Sequence, residues 1–174
     1  PIPSSIGQGT HNYTTSQLAR YVASLANSGK SYNISLLDKT TDSEGNLIED
    51  YTPELLSTIE LEQWIWDDVH VGMEGVIQND SNKWIFSDLG VSLAGKTGTA
   101  QQQKNRANHA LFVGYAPVDD PQLAMAVRIS YGYSSTNAAY VAKDVLNYYF
   151  ALQDESEILT GEATTDEVST QITD

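Results

Sequence analysis

The residues of this chain best equipped for chemistry are Lys96, Thr97 and Thr99, which set one cation and two hydroxyls around Gly98. Such a group can receive an anion, and the local spacing fits two kinds. Taken with the residues on its N-terminal side, Gly90-Val91-Ser92-Leu93-Ala94-Gly95-Lys96-Thr97 satisfies the phosphate-loop pattern G-x-x-x-x-G-K-[ST] in full. Taken with the residues on its C-terminal side, Lys96-Thr97-Gly98-Thr99 reads as strand, and its two threonines, two residues apart, share one face and suit a carboxylate. The first chemistry belongs to a nucleotide hydrolase, the second to a site for a substrate that ends in a carboxylate.

The flanking elements decide between the two. A phosphate loop needs an apolar strand, a pliable glycine-rich loop and a helix whose first N–H groups receive the phosphates. Here Val91-Ser92-Leu93-Ala94 reads as strand rather than loop. A helix from Lys96 would meet Gly98 in its first turn and then the polar run Gln101-Gln102-Gln103-Lys104-Asn105. No later apolar strand ends in a carboxylate fit for magnesium, since Leu123 to Ile129 runs into Ser130. A strand over 91–101 that presents Lys96, Thr97 and Thr99, with Gly98 leaving room for a neighbouring strand or ligand, is the better account.

The elements that must position this strand can be read along the chain. Thr14-Thr15-Ser16-Gln17 is a capping box opening a helix through Leu18, Val22 and Leu25, which Gly29 stops. Strands are predicted over 31–39 and 46–51, around the turn-forming cluster Asp42-Ser43-Glu44-Gly45-Asn46. A second capping box, Ser57-Thr58-Ile59-Glu60, predicts a helix through Leu61, Ile65, Val69, Gly72 and Val76 to Asn79. The polar stretch 81–88 reads as a loop. Two strands then come after the Lys96 strand: 109–116, apolar enough to be central, and 122–130, which alternates, with Asp119-Asp120-Pro121 turning between them. A last helix from Thr136 is predicted to bury Ala138, Ala142, Val145, Leu146 and Tyr149. Trp64, Trp66 and Trp84 read as packing residues, and His109 as a structural histidine rather than a base.

At 174 residues and 40% hydrophobic content the chain is one domain with a packed core. Its net charge is -14, and from Ala151 to Asp174 it carries seven acids and no Lys or Arg. That excess repels phosphate and argues against a nucleic-acid partner. From 151 to 174 Glu, Asp, Thr and Ser dominate, which predicts an acidic, disordered tail after a domain over 1–150. The absence of cysteine excludes a disulfide framework and a thiolate metal site.

Several separate stretches carry a family resemblance. Ala94-Gly95-Lys96-Thr97-Gly98-Thr99-Ala100-Gln101 and Asn108-His109-Ala110-Leu111-Phe112-Val113-Gly114-Tyr115-Ala116-Pro117 resemble the transpeptidase domain of class B penicillin-binding proteins. Ile6-Gly7-Gln8-Gly9, Thr14, Gln17-Leu18-Ala19, Ala26-Asn27-Ser28-Gly29 and Gly72-Met73 resemble the same family in the same order, so that the likeness runs from about residue 3 to 150. It implies an α/β (α+β) fold, an antiparallel sheet flanked by helices like that of the penicillin-binding proteins and serine β-lactamases, incomplete in this chain.

The resemblance also implies a chemistry: a serine accepts the acyl group of a peptidoglycan stem peptide and passes it to an amine, and β-lactams trap the acyl-enzyme. By motif match Lys96 and Thr99 are catalytic, the latter through its backbone N–H, while Thr97, Gly98, Thr99 and Gln101 bind substrate. No metal or cofactor is implied. The family's nucleophile lies in Ser-x-x-Lys, which does not occur here. Ser135-Thr136-Asn137 fits the family's Ser-x-Asn element in letters, but it comes after the Lys96 strand and opens a helix, so a cap explains it. The chain is therefore expected to be the C-terminal part of a transpeptidase domain, inactive alone. Its expected partners are the N-terminal part of that domain, stem peptides, β-lactams and a membrane glycosyltransferase. Its expected place is the outer face of the cell membrane, anchored by an upstream segment. A β-lactam-binding sensor, a serine β-lactamase or a carboxypeptidase of the same fold is the alternative.

Overall fold

In the computed structural model, which describes residues 12–79, 82–102 and 105–158, helix α1 (Thr15–Ala26) starts where the sequence sets it. The Thr14 hydroxyl accepts the Gln17 N–H at 3.1 Å and the Gln17 side chain accepts the Thr14 N–H at 2.9 Å, which closes the capping box. Gly29 ends the helix with φ 101°, donating its N–H to the Ser24 carbonyl. A Cβ at Gly29 would strike the Ile59 carbonyl and the Trp66 ring.

Four short strands come next: β1 (Lys30–Tyr32), β2 (Lys39–Thr41), β3 (Leu47–Asp50) and β4 (Leu55–Thr58). The predicted strand over 31–39 is thus two strands with different partners. β1 pairs antiparallel with β4, Lys30 opposite Thr58, whereas β2 and β3 form a hairpin of their own. The turn between the latter behaves as its residues dictate, with Asp42 Oδ1 accepting the N–H groups of Glu44 and Asn46.

Ser57 and Thr58 are not a capping box. They belong to β4, and their backbone is engaged in the ladder with β1. Helix α2 (Gln63–Gln78) begins after Glu62, which makes no side-chain cap, and ends at Asn79 as predicted. His70 on α2 meets the Leu25 carbonyl at 2.8 Å and so ties α2 to α1. In place of the predicted loop over 81–88 there is one helical turn, α3 (Lys83–Phe86), because Ile85 and Phe86 within that polar run are buried; residue 81 lies outside the described residues.

Strands β5 (Ala94–Ala100), β6 (His109–Ala116) and β7 (Leu123–Ile129) form an antiparallel sheet with β6 in the middle, as the patterning predicts, although β5 begins at Ala94 and residues 91–93, expected to be strand, precede it without strand structure. Helix α4 (Ser135–Tyr149) is capped by Ser134, not Ser135. It buries Ala138, Ala139, Ala142 and Leu146, but Val145 and Tyr149 are exposed, contrary to expectation. The buried stripe passes through Asn147 instead, whose amide donates to Gln153. Lys143 on α4 bonds Asp88 at 2.6 Å, and that hydrogen bond holds the Asp88 carboxyl below its ordinary range.

The sheet is covered on both faces. Leu93, Phe112, Met125 and Ala110 pack with Ile85, Phe86 and α4, and on the opposite face Ala94, Tyr115 and Val113 pack with Val22 of α1 and Met73 of α2. Within the stretch expected to be a disordered tail, α5 (Glu155–Ile158) forms a short turn; residues 159–174 lie outside the described residues. Trp66 is buried, while Trp64 and Trp84 are 63% and 56% exposed, so only the first packs as a core residue.

Candidate active site

β5 is an edge strand, with one described neighbour, β6, on one side and no described strand on the other. The register sets Lys96 opposite Val113, Thr97 opposite Phe112, Gly98 opposite Leu111 and Thr99 opposite Ala110. Alternation then divides the residues between two faces: Gly95, Thr97 and Thr99 on the α4 side, Lys96, Gly98 and Ala100 on the α1–α2 side. Lys96 and Thr99 are exposed, Thr97 and Gly98 half-buried.

Although Lys96 projects from the face opposite the threonines, its ammonium folds back along the strand and donates to the Thr97 carbonyl at 2.7 Å. On an edge strand every second residue turns its N–H and C=O outward. A Thr97 carbonyl free to take the ammonium is on that outward parity, and Thr99, two residues on, shares it. The open edge of β5 thus joins a cation, an exposed threonine hydroxyl and an outward main-chain N–H. Gln101 continues the strand direction and is exposed.

Two glycines shape the strand. A Cβ on Gly95 would lie 2.7 Å from Cζ of Phe112 and 2.8 Å from the Val113 carbonyl, so the Phe112 ring occupies the space that a side chain at 95 would fill. Phe112 is fully buried and stacks on Phe86 at 5.6 Å, which fixes β5 to the core. At Gly98 the nearest atom to such a Cβ is Cβ of Leu111, at 3.6 Å.

The other residues that the sequence singles out lie elsewhere. Ser135-Thr136-Asn137 is the first turn of α4, and Asn137 donates its amide to the Gly132 carbonyl. A further Ser-x-Asn match, Ser31-Tyr32-Asn33, begins on β1, which packs on α1 and β4 rather than β5, and Asn33 bonds to Glu54. His109 is buried at the start of β6, opposite Ala100, and bonds to Gln102 and to the Tyr131 backbone. An open groove lined by Tyr32, Ile34, Tyr51 and Pro53 has neither a cation nor a carboxylate in its lining.

Known proteins resemble this chain in sequence and fold. The family described as "Penicillin binding protein transpeptidase domain" matches residues 3–147. A peptidoglycan D,D-transpeptidase MrdA of Haemophilus influenzae is 33% identical over 169 residues, 85% of this chain and 25% of that protein. Among solved structures, penicillin-binding protein 2B of Streptococcus pneumoniae aligns with a TM-score of 0.70 at 29% identity, over 82% of this chain and 25% of that one. PBP2 of Pseudomonas aeruginosa, solved in complex with WCK 5153, aligns with a TM-score of 0.69 at 32% identity, over 88% of this chain and 32% of that one. The chain spans about a quarter of the length of curated relatives such as the transpeptidase of Haemophilus influenzae.

Proposed function

This chain belongs to the penicillin-binding protein transpeptidase family, of the class B kind its motifs resemble, and from that premise we propose that it supplies one wall of the active site of a peptidoglycan D,D-transpeptidase. The observation that carries the reading is the open edge of β5, where the Lys96 ammonium, the exposed Thr99 and the Thr97 carbonyl stand together.

In the proposed reaction a serine Oγ supplied by another segment attacks the carbonyl carbon of the penultimate D-Ala. The C–N bond to the terminal D-Ala breaks, that residue leaves as a free amine carrying the proton, and an ester to the serine remains. The amine of a neighbouring stem peptide then attacks the ester, forms the cross-link and returns the serine hydroxyl. Lys96 supplies positive potential and assists the proton transfer. The hydroxyls of Thr97 and Thr99 receive the terminal carboxylate, Gly98 leaves space for the substrate backbone, and Gln101 lines the cleft. The outward N–H of Thr99 donates to the developing oxyanion, an interaction typically worth about 3 kcal/mol of transition-state stabilisation. β-Lactams enter by the same attack and remain as the acyl-enzyme. The protein works on the outer face of the cell membrane, held there by an anchor outside this chain, beside a membrane glycosyltransferase that supplies the glycan.

The complement that brings the serine is the N-terminal part of the same domain. Support for it comes from the edge of β7, which has no second partner among the described residues, and from the share of its relatives that the chain spans. The test is Lys96→Ala in the assembled domain, labelled with a fluorescent penicillin. Acylation is expected to slow by at least about a hundredfold with the melting temperature unchanged; labelling at the wild-type rate would refute the assignment.

A further inference from the structure

Where β5 runs out, a cluster that the transpeptidase chemistry leaves unused joins three segments. Tyr131 adopts φ 56°, a left-handed conformation that is strained for an aromatic residue and needs outside support. Its N–H donates to Nδ1 of His109 at 3.0 Å, its ring stacks on the His109 ring at 4.9 Å, and Arg106 donates to its hydroxyl at 2.9 Å while lying over its ring. The other imidazole nitrogen, Nε2, stands 2.9 Å from Oε1 of Gln102.

These contacts fix the tautomer. Because Nδ1 accepts the Tyr131 N–H, the ring proton is on Nε2, which donates to Gln102. Gln102 is then held by its oxygen, consistent with the Tyr131 hydroxyl 3.4 Å from the same atom. Arg128, 3.4 Å from Nε2, cannot donate to a nitrogen that already carries a proton, so it adds charge beside the ring and no hydrogen bond. His109 is 7% exposed and lies opposite Ala100, whereas Gln102 is at the surface two residues beyond the strand. One buried ring therefore fixes the turn after β7 through Nδ1 and the exit of β5 through Nε2.

We propose that His109 is a positioning residue for the substrate-binding strand: its Nε2–H holds Gln102, and so keeps Thr99 and Gln101 aligned with the cleft, while its Nδ1 holds the strained turn at Tyr131. The two nitrogens have separable duties. Nδ1 serves the fold; Nε2 serves the geometry of β5. The inference rests on the transpeptidase reading and names a residue outside the reacting groups.

Asparagine places an acceptor where Nδ1 stands but lacks the distal donor, and glutamine places an amide N–H where Nε2 stands but lacks the proximal acceptor. In the assembled domain, rates of acylation by a fluorescent penicillin and melting temperatures are measured for His109→Asn, His109→Gln, Gln102→Ala and the His109→Asn/Gln102→Ala pair. His109→Asn is expected to melt close to wild type yet to acylate at least about tenfold more slowly, since small misplacements near reacting groups carry costs of that order. Gln102→Ala, an exposed substitution that leaves the core intact, should slow acylation equally, and the double variant no further. His109→Gln should melt lower but recover most of the rate. A His109→Asn enzyme at full rate, or single effects that multiply in the double variant, would overturn the inference while the labelled wild type still upholds the transpeptidase reading. A wild type that takes no label would overturn both.

Discussion

Gly95 and Gly98 are three residues apart on one strand and have different reasons to be glycine. A methyl at 95 would lie 2.8 Å from the Val113 carbonyl, a backbone atom of β6 that cannot retreat without breaking the ladder, and 2.7 Å from the Phe112 ring. Gly95→Ala in the assembled domain should therefore cost about 2 kcal/mol or more, read from the denaturant midpoint. At 98 a methyl would make only an ordinary contact with Leu111, and alanine is the better strand residue, so stability should shift by less than about 1 kcal/mol. If Gly98 leaves room for substrate, that same variant loses penicillin acylation with its fold intact; full acylation would remove Gly98 from the site. The candidate site at this scale stands out in the sequence because Lys96, Thr97 and Thr99 fall within four positions and are of telling types. The Gln102–His109–Tyr131 cluster does not, because it depends on the register that sets His109 opposite Ala100 and on a left-handed tyrosine.

Elements differ in how much of the fold depends on them. β2 and β3 bond to each other, and neither packs against another element by more than a marginal contact. Their turn is held by Asp42 alone, and Leu47 and Ile48 are 59% and 67% exposed. A two-stranded hairpin of this kind adds little stability by itself. The Tyr51 N–H meets the Asp38 carbonyl at 2.7 Å at its base, so a short glycine-serine turn can replace residues 39–50. That excision should leave the melting temperature of the assembled domain within a few degrees, and a large drop would show that the hairpin packs on something. Thr14→Ala should cost about 1 kcal/mol, although Thr14 is exposed, because it opens the capping box of α1. The same contrast explains which elements could be read from sequence. The cap of α1 and the alternation of β7 are local signals, and both predict the observed element. The pairing of Lys30 with Thr58 is long-range, so Ser57-Thr58-Ile59-Glu60 imitated a helix start while its backbone was committed to β1. The turn at 83–86 is too short to show a period, and burial of Ile85 and Phe86 makes it.

At the scale of the whole molecule, the three-stranded sheet has helices on both faces and a partner strand on neither outer edge among the described residues. Tyr21 on α1 and Val71 on α2 are 58% and 68% exposed, so apolar surface remains on helices that already cover the sheet. Unpaired edges and exposed apolar helix faces favour association with another chain. Opposing this is a net charge of -14, which keeps copies apart at neutral pH and fades toward the isoelectric point near 4.3. The two effects can be separated by working at pH 7, where like-charge repulsion is strong. Residues 1–174 expressed alone should then elute as associated or polydisperse material, bind a hydrophobic dye and melt without a cooperative transition. Co-expression with the N-terminal part of the transpeptidase domain should yield a single species with a sharp transition and no dye binding, because in the proposed reading that segment pairs the open edge of β7, leaves the edge of β5 as the cleft, and carries the serine. A monodisperse, cooperatively melting monomer from this chain alone would mean that the edge of β7 needs no complement. The serine would then have to reach Lys96 from a separately folded partner.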